Sequence, residues 1–262
     1  MSITPSLPRA LRPSTTGARS LLLAGLLAAG GGCELFGEKL VQVDIFSAHY
    51  GSPVDGAYPE FGVNGGPRSW VNDQGWSVDI LDGYFVITGV SLVECDGTTR
   101  SADMVFGPAP EHISFTDRDV LNVASITTPE GDYCRLLVQY GPYRKADADA
   151  VATPIEIPTA VDLEGVSVLL SGVARKGDVQ VGFLLTSSGT RAVEVDLQKA
   201  GAGALPYAIA ADGGDPRVTI GKAYDAFFHG VDFATLDEEA LSGQLLTSLA
   251  SVTAGYHGTD IY

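Results

Sequence analysis

Val41-Gln-Val-Asp-Ile-Phe46 alternates apolar and polar side chains with a period of two, the pattern of a strand with one buried face. Trp76-Ser-Val-Asp-Ile80 and Arg191-Ala-Val-Glu-Val-Asp-Leu197 repeat it. Tyr84-Phe-Val-Ile87 and Val90-Ser-Leu-Val93 predict a strand pair or one bent strand, with Gly89 as a bulge and Asp96-Gly97 as the closing turn. Tyr133 to Tyr140 is a further strand, entered from the turn Pro129-Glu-Gly-Asp132. Val161 to Val173 and Val179 to Leu185 read as a pair joined by Arg175-Lys-Gly-Asp178, and Pro216 to Ile220 follows the turn Asp212-Gly-Gly-Asp215. One helix is expected near the end. Thr235 and Glu238 have capping-box spacing, and Leu241, Leu245 and Leu249 recur at helical intervals. Residues 51–66 read as loop, and 98–130 as irregular, broken by Pro108, Pro110 and Pro129. Short strands without βαβ alternation predict a mainly β protein, an antiparallel β-sandwich (Ig-like or jelly-roll-like) with one short C-terminal helix, in a single domain over residues 40–262.

The chain has 262 residues, 45% hydrophobic and 18% charged, enough for a sizeable core and too apolar for a disordered chain. Its 16 basic and 32 acidic side chains give a net charge of −16, which argues against nucleic acid as a partner, because phosphate binding needs clustered positive charge.

The N-terminus has the organisation of an export signal. Arg9, Arg12 and Arg19 precede an apolar run, Leu21 to Ala29, too short to span a bilayer, and Gly30-Gly-Gly-Cys33 follows. Small residues directly before a cysteine resemble a bacterial lipoprotein signal. That resemblance implies a signal peptide over 1–32, a lipidated Cys33, and a tether over 33–39. Glu34 stands where an Asp would imply inner-membrane retention, so the resemblance implies a protein anchored in the outer membrane, facing the periplasm or the cell surface. Two features depart from the pattern, Gly30 in place of a Leu-like residue and a long n-region. Acyl chains contribute about 0.8 kcal/mol per buried CH₂, so several of them hold a protein without a transmembrane helix. The first 32 residues hold three of the basic side chains and none of the acidic ones, which leaves 13 against 32 and a net of −19 in the processed chain. With Cys33 lipidated, Cys95 and Cys134 remain, and in an oxidising envelope a disulfide between them is expected.

No familiar catalytic motif is complete. Gly89-Val-Ser-Leu-Val93 and Gly165-Val-Ser-Val-Leu169 both fail as nucleophile elbows, there is no H-E-x-x-H pair or P-loop, and Asp147-Ala-Asp149 lacks the rest of a Ca loop. Asp117 and Asp119 form an acidic pair whose carboxylate separation a sequence does not supply. The expectation is therefore a protein that is not an enzyme. His49, His112, His229 and His257 are the candidate metal ligands, scattered so that any site has to be assembled from distant segments. Imidazole and carboxylate in the absence of thiol suit Cu(II) or Zn(II).

Several segments also resemble the methanobactin-associated periplasmic copper-binding protein family. They are Val41 to Phe46, then Tyr84-Phe-Val-Ile-Thr-Gly-Val-Ser-Leu-Val93 with Asp96-Gly97, then Gly131-Asp-Tyr-Cys-Arg-Leu-Leu-Val-Gln-Tyr-Gly141, and finally Val218-Thr-Ile220 through Phe228 to Gly230-Val-Asp-Phe233. The resemblance implies an envelope β-sandwich that binds copper through histidines and, in some members, an oxidised tryptophan, for which Trp70 and Trp76 are the candidates. The expected function is an outer-membrane-anchored, non-catalytic binding module, with copper as its sharper form. The alternative is a structural envelope lipoprotein that presents residues 51–75 and 98–130 to a protein partner or a glycan without metal.

Overall fold

The alternating hexapeptide lies within an eleven-residue strand, β1 (Leu40–Tyr50), whose Val43 and Ile45 are fully enclosed. It belongs to a computed structural model that describes residues 38–262 apart from 56, 60, 63–65, 114–116, 153, 159, 260 and 262. The expected signal segment 1–32 and the lipidation candidate Cys33 lie outside the described residues. The remaining strands are β2 (Arg68–Val71), β3 (Ser77–Glu94), β4 (Thr99–Ser101), β5 (Asp103–Met104), β6 (Ala109–His112), β7 (Leu121–Pro129), β8 (Gly131–Tyr140), β9 (Val168–Lys176), β10 (Val179–Ser187), β11 (Arg191–Lys199), β12 (Gly203–Ala204), β13 (Tyr207–Ile209), β14 (Arg217–Ala223) and β15 (Thr253–His257). One helical turn, α1 (Lys145–Ala148), and one longer helix, α2 (Glu238–Val252), interrupt them.

The protein is mainly β, a curled sheet consistent with a sandwich-like fold. Its strands follow the order β10-β9-β3-β8-β11-β15-β14-β1-β7-β5, with β2, β4 and β6 added on β3. Two pairs depart from the all-antiparallel expectation. β1 runs parallel to β14, and β11 runs parallel to β15. Neither pair is joined by a short turn, so the hairpin constraint that enforces antiparallel pairing does not act on them.

The predicted segments at 76–80, 84–87 and 90–93 merge into the single 18-residue strand β3. Its first half pairs with β9 and its second with β8. Gly89 sits at a register shift, as a bulge requires, and another shift falls between Ile80 and Asp82. The unbroken apolar run Tyr84 to Ile87 has a physical reason. Phe85 and Ile87 join the main core, while Tyr84 and Val86 join a second cluster with Tyr143, Ala148 and Leu163, so this stretch is buried on both faces.

Elsewhere the boundaries move. The segment expected to be irregular contains the nine-residue β7, because its three prolines flank the run Leu121–Thr128 instead of interrupting it. The strand expected from Val161 begins at Val168, since 161–166 packs as loop against the second cluster. The hairpin at Arg175–Asp178 is present, closed through Lys176 opposite Val179, with Gly177 at φ 58° supplying the positive dihedral of a tight turn. The last helix begins at Glu238 with Asp237 as its cap, its carboxylate accepting from Ala240 N at 3.0 Å; Thr235 ends a 3₁₀ turn instead. β15 follows the helix and was not expected, being five residues long with a central glycine. α2 also lies along the outer edge of β10, where Leu184 N and Thr186 N donate to Glu238 Oε1 and Ser242 Oγ, each at 3.3 Å. Those contacts cover backbone donors that an edge strand otherwise leaves open.

Cys95 and Cys134 form the expected disulfide, with an S–S distance of 2.04 Å. It ties the turn after β3 to β8.

Candidate functional site

Strand parity decides what β1 carries inward. Val43, Ile45, Ser47 and His49 alternate onto one face, so the apolar series ends in a hydroxyl and an imidazole. The parallel neighbour β14 places Val218, Ile220 and Lys222 opposite Ile45, Ser47 and His49. A lysine at an inward position needs an anion, and β6 provides Glu111, paired in register with Phe85 of β3.

Lys222 Nζ lies 2.6 Å from Glu111 Oε2 and donates to Ser47 Oγ at 2.6 Å. Ser47 Oγ in turn donates to Glu111 Oε2, and His49 Nδ1 lies 2.8 Å from Glu111 Oε1. A second charged pair adjoins the first. Asp117 accepts from the Tyr224 hydroxyl at 2.6 Å, and Arg68 Nε lies 2.8 Å from Asp117 Oδ1, an ion pair not aligned as a hydrogen bond. His49 joins the two, its Nε2 being 3.9 Å from Asp117 Oδ1. Lys222, Arg68, Glu111 and His49 are each no more than 1% exposed as residues.

The electrostatics follow from that enclosure. Burial pushes the Glu111 carboxyl up, but the Lys222 charge and the His49 hydrogen bond outweigh it and hold the group down at about 2. Burial lowers Lys222 below the ordinary ammonium range, and Glu111 opposes that shift. Burial and the bond to Asp117 raise the Tyr224 phenol far above its usual range.

A serine, a histidine and a carboxylate in contact invite comparison with a nucleophilic triad, and the wiring differs. In a triad the histidine accepts the serine proton and the carboxylate stands behind the histidine. Here Glu111 lies between them and takes the serine hydrogen bond itself. The cations also stand where a metal would have to approach, with Lys222 on Glu111 and Arg68 on Asp117.

The four candidate histidines have separate partners on separate elements. His49 lies in the buried cluster. His112 lies 2.6 Å from Asp82 and stacks on Tyr84 at 4.4 Å, partly exposed. His229 is 77% exposed and 3.6 Å from Asp73, so no deep cleft surrounds it. His257 Nε2 meets the Leu205 carbonyl at 2.9 Å, and its ring leans on Tyr207. Among the described residues no three His, Cys, Asp or Glu side chains are placed to hold a metal ion. Trp70 packs among Phe61, Tyr224 and Phe228, while Trp76 donates to Asp232 at 3.0 Å. Asp147 lies in the helical turn α1 and Asp149 caps its C-terminal end, held by Lys145 at 2.9 Å, instead of forming the expected loop.

Sequence reasoning missed Ser47, Arg68, Glu111, Lys222 and Tyr224. The inward parity of Ser47 and Lys222 was the available signal.

No family model matches the chain, and no curated protein matches it. Among solved structures the chain is similar to MbnP from Methylosinus trichosporium, at 9% identity and a TM-score of 0.47, over 84% of this chain and 99% of that one.

Proposed function

We propose that the chain is an exported lipoprotein, anchored in the outer membrane through Cys33, whose β body serves as a non-catalytic binding module. The observation that carries this is the Cys95–Cys134 bridge, which uses two of the three cysteines and leaves Cys33, in Gly30-Gly-Gly-Cys33, seven residues before the first strand. Structural disulfides belong to oxidising compartments. A non-catalytic role draws support from the enclosure of the Ser47, His49 and Glu111 cluster, where each group is engaged by another and a substrate has no access. The finer reading is Cu(II), whose preference for imidazole and carboxylate favours the partly exposed contact of His112 with Asp82 over the cation-filled cluster at His49.

Anchoring is tested by expressing the full chain in a Gram-negative host fed an alkyne fatty acid. The label is expected in the outer-membrane fraction and absent from Cys33→Ala; an unlabelled, soluble wild-type chain refutes the anchor. Cu(II) titration with EPR tests the finer reading. Nitrogen hyperfine structure that disappears in His112→Ala supports it, and affinity weaker than micromolar removes it.

A further inference from the structure

We infer that Lys222 and Glu111 condense into an isopeptide bond that cross-links β14 to β6 inside the protein. The two side chains are 2.6 Å apart and enclosed, so the amine is held against the carboxyl group without the entropy loss of an encounter, in a place bulk water does not reach.

The neighbours supply what the condensation needs. Lys222 Nζ donates to Ser47 Oγ, and Ser47 Oγ donates to Glu111 Oε2, a two-bond path for protons from the nitrogen to the departing oxygen. His49 Nδ1–H faces the other oxygen, Oε1, where negative charge gathers as the nitrogen adds. The C–N bond forms between Nζ and the Glu111 carboxyl carbon, and the bond from that carbon to Oε2 breaks. The ammonium gives up two protons, both of which leave with Oε2 as water, so no oxidant, reductant or second substrate is required. Burial weakens the Lys222 ammonium while the same pair holds Glu111 as a carboxylate, so the protons that free the amine have to pass through Ser47 Oγ to Oε2 as the C–N bond forms. The product also replaces two ions out of water with one neutral amide, removing the desolvation penalty that a buried ion pair carries.

A tryptic map of the reduced and alkylated full chain tests this. Cleavage after Lys222 is expected to fail, leaving Val218–Tyr262 joined to Ser101–Arg118 as one branched species lighter by a water molecule than its two parts. Release of Val218–Lys222 as a linear peptide, with Ser101–Arg118 at full mass, overturns the proposal. The wild-type map decides without any variant, so misfolding of a mutant does not blunt the test. Glu111→Gln is expected to give the same bond with loss of ammonia, and Lys222→Arg to give none. An acid titration is a second arm. The uncondensed pair loses stability as pH falls from 4.5 towards about 2, where Glu111 titrates in the fold. The condensed chain has no such loss at this position.

Discussion

Replacing Asp117 by alanine is expected to destabilise the protein more than any surface change. The carboxylate lies 2.8 Å from Arg68 Nε, accepts from Tyr224 at 2.6 Å, and has Phe61 N at 3.4 Å. Arg68 is fully enclosed, so truncation leaves a guanidinium in the interior without its carboxylate. Breaking one side of a buried ion pair costs about 3–5 kcal/mol, and an orphaned hydroxyl adds about 1–3 kcal/mol. The two effects share one site and do not add fully, so about 4–6 kcal/mol is expected. That is a large share of the roughly 5–15 kcal/mol that holds a domain folded. Urea unfolding followed by tryptophan fluorescence measures it, and Trp70, 5.7 Å from the Tyr224 ring, lies beside the perturbation. The double variant Arg68→Met with Asp117→Leu removes both charges and is expected to lose less than the single Asp117→Ala. A single-variant cost below about 1 kcal/mol, or a double variant that loses the sum of its parts, refutes the claim that charge pairing governs this site.

Three further outcomes are expected. Opening the Cys95–Cys134 bridge, whose sequence separation is 39, by a double change to alanine should cost about 4 kcal/mol in the chain-entropy description, read as a shift of the urea midpoint without gain of aggregation. Gly172→Ala places a Cβ 2.1 Å from the Asp79 carbonyl oxygen of the paired strand and should cost at least the roughly 1–3 kcal/mol of an overpacked core; a neutral result in thermal unfolding would mean that β9 shifts freely against β3. Burial lowers the His257 pKa below 6.5, so the unfolded chain binds more protons in that window. Stability is then full above 6.5 and falls as pH drops through the lowered value, and His257→Gln should flatten that slope in urea titrations at stepped pH.

Local pattern reached the elements and stopped short of their partners. The period-two alternation of β1 and the hairpin at Gly177 depend on neighbours in sequence, and both were legible. The register of β1 against β14 depends on residues more than 160 apart, and no local signal states that Ile45 faces Val218. The helix start shows how near such readings come. Thr235, Asp237 and Glu238 all carry capping chemistry, and the structure uses Asp237 because Thr235 is already spent in the 3₁₀ turn that Asp232 caps. Buried charge was the largest omission. Parity marks Ser47 and Lys222 as inward, but Glu111 sits in a four-residue strand between Pro110 and His112, too short to show a period. Burial of a lysine therefore implied an anion that the local sequence did not name.

The cluster also changes what the chain's charge means. Among the described residues Lys222 and Arg68 balance Glu111 and Asp117, so the cluster contributes no net formal charge and the chain's surplus of −16 lies outside it. In the proposed anchored form, that surface faces a membrane that repels it where anionic lipid is exposed, over a screening distance of about 8 Å at physiological salt. Residues 33–40 span at most roughly 25 Å when extended, at about 3.6 Å per residue. In that proposed form a tether of such reach would exceed the screening distance about threefold, so the repulsion would be relieved without straining the anchor.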